Sequence, residues 1–428
     1  MITIDLNKIL HRLLCIYAFL LPFEHILEIW LGIETIFKPY RVLAILIIAV
    51  FTLKIFQTQK VNIFSDIQQD IFLYLLFIYG IIISLFQMIV VPFSTGKFYN
   101  DLFQITLYLS IFFIVKNTNF SRKQLYQILY ALVIGVILNS YYVFHNFYTL
   151  ANYDRPKGFM DNPNYLSLSV GVALIIIVNE LKDARNLLKI ILLPLIPFMI
   201  YILVISGSRT VFVTTILSFI ISFLFWSSRA KILFIIVAIG LGSFGLSRIK
   251  IEGPLLLIDR FQERDASEDP RLSIWKGVMR ASEETNYIGM GLGQFESRFP
   301  SFYQDENHDL VRRIVQFNYH LSAHSDYFGV LITYGILGLI LFLLFLFYSF
   351  RKIIPLALFY KQKEKKYYQL QFMLLLSIII FGIVSENFNS GLYWLLLTFS
   401  TKSISISTIE QSEEKQELTS AEINYSNT

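Results

Sequence analysis

The stretch "SAHSDYFGVLITYGILGLILFLLF", residues 322–345, sets a histidine, a serine and an aspartate directly in front of a long apolar run. About 20 apolar residues suffice to cross the hydrocarbon core of a bilayer. The run therefore predicts a membrane-crossing helix over 325–350. His324 and Asp326 stand at its mouth. Either they finish the helix, or they belong to a site at the membrane surface.

Working outward, the same apolar blocks recur along the chain. They are continuous rather than alternating, so helices and not a β-barrel are expected to span the membrane. The 428 residues are 55% hydrophobic and only 16% charged, which excludes an ordinary soluble domain. Twelve spans are expected: 9–29, 40–56, 70–91, 101–116, 124–148, 164–180, 187–206, 209–227, 230–247, 325–350, 367–384 and 388–401. The fourth, sixth and last are short. The first lacks a small-residue cleavage site, carrying Leu-Pro-Phe-Glu instead, so it is expected to be retained.

Lys and Arg set the orientation of such a bundle. With the N-terminus inside, 20 of them fall on the cytoplasmic side and 6 on the outer side, with 10 more in the segment 248–324. Long loops are exempt from the rule, so the bias places both termini in the cytoplasm and 248–324 outside. The expected organisation is nine transmembrane helices in 1–247, a large periplasmic loop with an amphipathic helix at 248–324, three more helices in 325–401, and a disordered cytoplasmic tail at 402–428.

Charge is scarce within the spans, which argues against an ion-coupled carrier with midplane ionisable groups. Cys15 is the one cysteine, so neither an intrachain disulfide nor a cysteine metal site exists. Polar residues gather instead at the outer mouth, in four motifs.

"YDRPKGFMDNPNYLS", 153–167, holds Arg155, Lys157, Asn162 and Asn164 among Pro and Gly, an ordered turn in which Asn162 or Asn164 serves as N-cap of the next helix. "ISGSRTVFV", 205–213, starts a helix with Arg209. A cation there opposes the helix dipole, so an anion bound jointly by Arg209 and the first-turn amides explains it better than capping does. The plainer reading is an interfacial arginine with its stem in lipid.

"EDPRLSIWKGVMRASEETNYIGMGLGQFESRFP", 268–300, opens with Asp269 as N-cap and Pro270 as first helical residue. Leu272, Trp275 and Val278/Met279 recur at helical spacing, with Arg271, Lys276 and Arg280 elsewhere on the turn. "GMGLG" is no nucleotide fingerprint, because no strand precedes it; it predicts a tight turn. Asp305, Glu306, His308 and Asp309 read as a solvated loop rather than a cation site. In the opening motif, Ser325 or Asp326 serves as a cap. A cap does not account for His324, the side chain best suited to take a proton near neutral pH.

These pieces resemble the O-antigen ligase and Wzy-type polymerase superfamily of bacterial envelope enzymes. "RPKGFMDNPNYLSL", "SGSRT", "DPRLSIWKG" with "IGMGLGQF" and, most specifically, "AHSDYFGVLITYGILGLILF" carry the resemblance over most of residues 150–350. It implies an all-α polytopic membrane protein with a GT-C-like fold, about 12 transmembrane helices and one large extracytoplasmic loop, in the bacterial inner membrane. It implies a glycosyltransferase that moves a glycan from undecaprenyl diphosphate to lipid A–core or another glycan acceptor, with no cofactor, no metal and no nucleic-acid partner. On that reading His324 and Arg209 are catalytic. Arg155, Arg271, Lys157, Asn164 and Asp326 bind substrate, and Asp326 orients His324 or caps the helix. A Wzy-type repeat-unit polymerase is the alternative within the class; a lipid or polysaccharide exporter without bond chemistry is the rival outside it.

Overall fold

The computed structural model describes residues 5–32, 38–58, 67–147, 155–181, 186–222, 270–295, 298, 322–359 and 362–403. Their regular structure is helical: α1 Leu6–Leu20, α2 Ile26–Leu31, α3 Pro39–Thr58, α4 Ile67–Val90, α5 Thr95–Asn117, α6 Arg122–Phe147, α7 Pro163–Leu181, α8 Asn186–Ile205, α9 Arg209–Ser222, α10 Pro270–Glu284, α11 Asp326–Phe359, α12 Gln362–Gly382 and α13 Gly391–Thr401. A 3₁₀ turn at Leu21–Phe23 follows α1. Nine stretches among the described residues are long and apolar enough to cross a membrane, and α9 and α13 are shorter apolar helices. This is an all-α polytopic membrane protein.

Eleven of the twelve expected spans coincide with described helices; the ninth, 230–247, lies outside the described residues, as do Asp269, the 305–309 cluster and most of the 402–428 tail. Three expected spans need correction. The first is not continuous over 9–29. A 3₁₀ turn with Pro22 at its second position follows Leu20, and a six-residue helix ends on left-handed Gly32. The fourth begins at Thr95, because Phe98 on its first turn is buried against the bundle despite polar neighbours. The tenth runs to Phe359 and is broken at Gly335.

Outward-facing side chains are apolar: Ile89, Phe56 and Leu187 are all more than 70% exposed. Such a surface belongs in lipid, not water. The centre is α7, where every residue from Leu166 to Asn179 is buried. It packs against α6, α8, α9 and α12, while α11 runs along α4 and α12.

The break in α11 has a partner. Gly335 sits at φ 67°, ψ −172°, outside helical geometry. The freed backbone groups are taken up by the segment after α10. Met290 N–H donates to Ile332 O at 2.8 Å, Gly291 N–H to Thr333 O at 3.0 Å, and Ile336 N–H to Tyr287 O at 2.9 Å. At membrane depth such groups must be satisfied within the protein. "GMGLG" is therefore more than a turn, because it docks on a broken helix and on α4, where Gln87 Nε2 donates to Gly289 O at 2.7 Å. Ser84, which accepts from Leu292 N–H at 2.8 Å, lies six residues before the end of α4, so the segment dips about 9 Å below that end.

Gly289 (φ 101°) meets Gly335 across this contact; a Cβ on Gly289 would lie 2.5 Å from Gly335 N and 2.7 Å from Thr333 O. Gly289→Ala is expected to add about 1–2 kcal/mol of backbone strain and to push the two strands of the contact apart. Thermal unfolding in detergent micelles should fall by several degrees. An unchanged melting point would show that the segment does not hold the break.

Candidate active site

The end of the bundle where α1 closes, here the site end, collects the polar motifs. At the start of α7, Asn162 Oδ1 accepts from Asn164 N–H (2.9 Å) and Tyr165 N–H (3.0 Å), which makes Asn162 the cap and leaves Asn164 for other work. Arg155 reaches that second asparagine. Its Nη2 donates to Asn164 Oδ1 at 3.0 Å and its Nε to Ser206 O at 2.8 Å. One guanidinium thus ties the 155–162 turn to both the head of α7 and the turn between α8 and α9.

That second turn is tight. Gly207 takes φ 65°, Ser206 and Ser208 are buried, and Ser206 Oγ lies 2.6 Å from Ser167 Oγ on α7. Arg209 opens α9. The first-turn amides of a helix have no acceptor within the helix, so this corner offers both a guanidinium and backbone donors to an anion. Beside it Arg271, on the first turn of α10, has Nη1 3.5 Å from Thr210 Oγ1.

One turn on, Trp275 shares the face of Arg271. Its Nε1 donates to Ala323 O at 3.0 Å, and its ring stacks on Phe328 with centroids 5.1 Å apart. So α10 bridges the head of α9 and the residue before His324. The packed face of α10 keeps Val278 and Trp275 of the expected stripe and is shifted from the rest of it. Ile274, Val278 and Ala281 are buried, whereas Leu272 and Met279 are exposed.

His324 adopts φ 50°, a left-handed conformation uncommon outside glycine. Its neighbours hold it there. Ala323 N–H donates to Glu386 Oε2 at 2.6 Å, Ser325 Oγ donates to Gly382 O at 3.2 Å, and His324 N–H donates to Ser322 Oγ at 3.3 Å. The imidazole Nδ1 lies 3.4 Å from the same Ser322 Oγ.

Asp326 needs correction. Its side chain neither caps α11 nor serves as a surface for ligand. It is buried, with Oδ1 accepting from Asn387 N–H (2.6 Å) and Phe388 N–H (3.1 Å) and Oδ2 from Asn387 Nδ2 (3.3 Å). It builds the 385–390 loop. That loop supplies a residue the sequence reading missed, Glu386. Besides holding Ala323, Glu386 accepts at its backbone carbonyl from Tyr165 OH at 3.0 Å. "SENFNS" reads as an ordinary polar turn; the one signal was a lone carboxylate between two apolar spans.

The contacts close a ring: Arg155 to Ser206, α9 to Arg271, Trp275 to Ala323, Ala323 to Glu386, and Tyr165 beside Asn164 back to Arg155. Arg209 and His324 sit on elements of that ring. Lys157 does not. It is exposed on the same turn as Arg155, beside Asp161. Among the described residues no group of three or more His, Cys, Asp or Glu is placed to hold a metal ion.

A family model described as O-antigen ligase matches residues 194–343. Over that segment the chain is similar to O-antigen ligases. The matched segment runs from α8 through α9 and α10 into α11, and so carries Arg209, Arg271, His324 and Asp326. Arg155, Asn164 and Glu386 lie outside the match and join the ring through the contacts above. No curated protein matches the chain. The match supports a membrane enzyme of ligase or polymerase type acting on lipid-linked glycans.

Proposed function

We propose that this protein transfers a whole glycan from undecaprenyl diphosphate to a hydroxyl of lipid A–core, at the outer face of the bacterial inner membrane. The observation that carries the reading is the ring, which sets three arginines and one histidine at a single end of an apolar bundle. As the acceptor oxygen attacks the anomeric carbon, the bond from C1 to the phosphate oxygen breaks and its electron pair leaves with the diphosphate. Arg209, the α9 amides, Arg155 and Arg271 stabilise that growing charge at a half-dry surface. The acceptor proton passes to His324. Its Nδ1 lies 3.4 Å from Ser322 Oγ, a hydroxyl that helps to orient the ring for that role. The isoprenoid lies between helices whose outer faces are apolar.

The far end of the bundle supports chemistry over export. There Lys116 and Asp70 are paired at 3.2 Å and almost fully buried. Lys402 Nζ donates to the carbonyls of Lys116 (2.6 Å) and Thr118 (3.1 Å). An exporter that opens to both sides alternately must break that buried network, whereas an enzyme working from one end keeps it. The 20 to 6 bias of Lys and Arg supports an orientation with the site end outside and both termini in the cytoplasm.

The test is a purified reaction with lipid-linked glycan donor and lipid A–core. Release of undecaprenyl diphosphate together with glycan on lipid A is the expected result. A lengthened lipid-linked chain instead would make the enzyme a polymerase, and no undecaprenyl diphosphate would leave an exporter. In the same assay Arg209→Ala is expected to raise the donor KM and lower kcat together. It meets the diphosphate in the ground state and again as charge develops. Arg209→Lys should rescue poorly, since an ammonium keeps the charge and loses the two-pronged geometry. Full activity of Arg209→Lys would remove the guanidinium from the site.

A further inference from the structure

The elbow between α1 and α2 touches the Arg155 turn through His25 at two points, Phe159 and Asp161. His25 N–H donates to Phe159 O at 2.8 Å. His25 Nδ1 lies 2.6 Å from Glu28 Oε2, and its Nε2 lies 3.3 Å from Asp161 Oδ1. A neutral imidazole has one N–H, so it would turn a lone pair toward one of these carboxylates. Only the imidazolium suits both. Asp161 sits on the turn that begins at Arg155, and Phe159 between them stacks on Tyr142 with centroids 4.1 Å apart.

We propose that His25, as an imidazolium between Glu28 and Asp161, is a positioning residue that staples the Arg155 turn for donor binding. The inference rests on the proposed function in one respect: donor binding is what the staple serves. Other charges face the same place. Glu24 and Lys38 pair with each other, and Tyr40 OH also donates to Glu24 Oε1, at 3.1 Å. Glu24 supports the imidazolium and Lys38 opposes it, while Lys157 acts on Asp161 from the turn itself.

The pairing with Asp161, opposed by desolvation and aided by Glu28, holds the His25 pKa above its ordinary value. The pairing with His25 in turn holds Asp161 below the usual carboxylate range. A group with a raised folded pKa contributes stability that is complete below its unfolded value and fades as pH rises through the folded one. A depressed carboxylate contributes stability above its unfolded value, which fades as pH falls through the folded one. The staple is therefore complete in mildly acidic solution, from above the unfolded carboxylate pKa of about 4 to below the unfolded histidine pKa of about 6.5. It opens on the alkaline side as His25 loses its proton.

Two readouts test this. In glycan transfer, the wild-type donor KM should rise about two- to fivefold as pH climbs from about 6 to 8.5, the size expected of partly exposed ion pairs. His25→Gln should show the raised KM throughout and no rise. Asp161→Asn should do the same from the other partner, and the double variant should be no worse than either single. In thermal unfolding, the wild type should exceed His25→Gln at pH 6, and the gap should close at pH 9. The melting gap needs no substrate, so it separates the staple from the reading of function. If no donor is ever turned over but the gap behaves as stated, the function fails and the staple stands. A His25→Gln enzyme whose KM still rises with pH, or a melting gap independent of pH, overturns the staple.

Discussion

His324→Ala and His324→Asn are both expected to abolish glycan transfer. General-base catalysis contributes about 10²–10⁴ in rate, so the residual turnover should be at or below about 1%. The loss should fall on kcat and leave the donor KM nearly unchanged, because proton removal happens only on the way to the transition state. Two variants are needed because His324 is left-handed at φ 50°. Alanine there carries a backbone penalty of about 1–2 kcal/mol, whereas asparagine visits that region with little cost. His324→Asn thus keeps the turn and the polar tip but has no nitrogen that can take the proton. Membrane-inserted variants matched for expression, assayed for product on lipid A, decide the matter. Near-normal turnover in His324→Asn would make the histidine a conformational residue of the turn.

The pH responses tell the two histidines apart. A general base gains activity as it loses its proton, so a His324 effect rises toward alkaline pH and appears in kcat. The His25 effect runs the other way and appears in KM.

Much of the bundle was legible because burying charge in lipid costs so much that apolar runs and their polar ends mark themselves. Arg209 and His324 stood out for the same reason, since neither is what a helix start asks for. What stayed hidden depends on partners distant in sequence. Gly335 sits in an unbroken apolar run, and its helix breaks only because Tyr287, Met290 and Gly291 arrive to bond the freed groups. Glu386 looks like any turn carboxylate until it meets Ala323 N–H, 63 residues away. On α10, Leu272, Trp275 and Val278/Met279 form a helical period. Val278 of that stripe packs, together with Ile274 and Ala281, and Leu272 and Met279 stay exposed, since which neighbouring element a helix meets is not written in its own period.

Asp326→Ala is expected to be as damaging to the fold as His324→Asn is to the chemistry. The substitution strands two backbone donors, Asn387 N–H and Phe388 N–H, and leaves Asn387 Nδ2 with Ser385 O alone. Each buried donor left without an acceptor costs about 1–3 kcal/mol, so the total reaches several kcal/mol. Asp326→Asn should fall between. Its oxygen still serves the two backbone groups, but its amide then faces Asn387 Nδ2. Turning Asn387 over would give up the bond from Nδ2 to Ser385 O at 3.0 Å. Little room exists for repacking, since a Cβ on Gly382 would already lie 2.6 Å from Asp326 Oδ2. The damage then travels: the 385–390 loop carries Glu386, Glu386 holds Ala323 N–H, and Ala323 fixes the left-handed turn at His324. Asp326→Ala should therefore lose thermal stability and turnover together, in the order wild type, Asn, Ala. His324→Asn should lose turnover alone. An Asp326→Ala protein that melts with the wild type in detergent yet transfers no glycan would move Asp326 from the scaffold of the site into its chemistry.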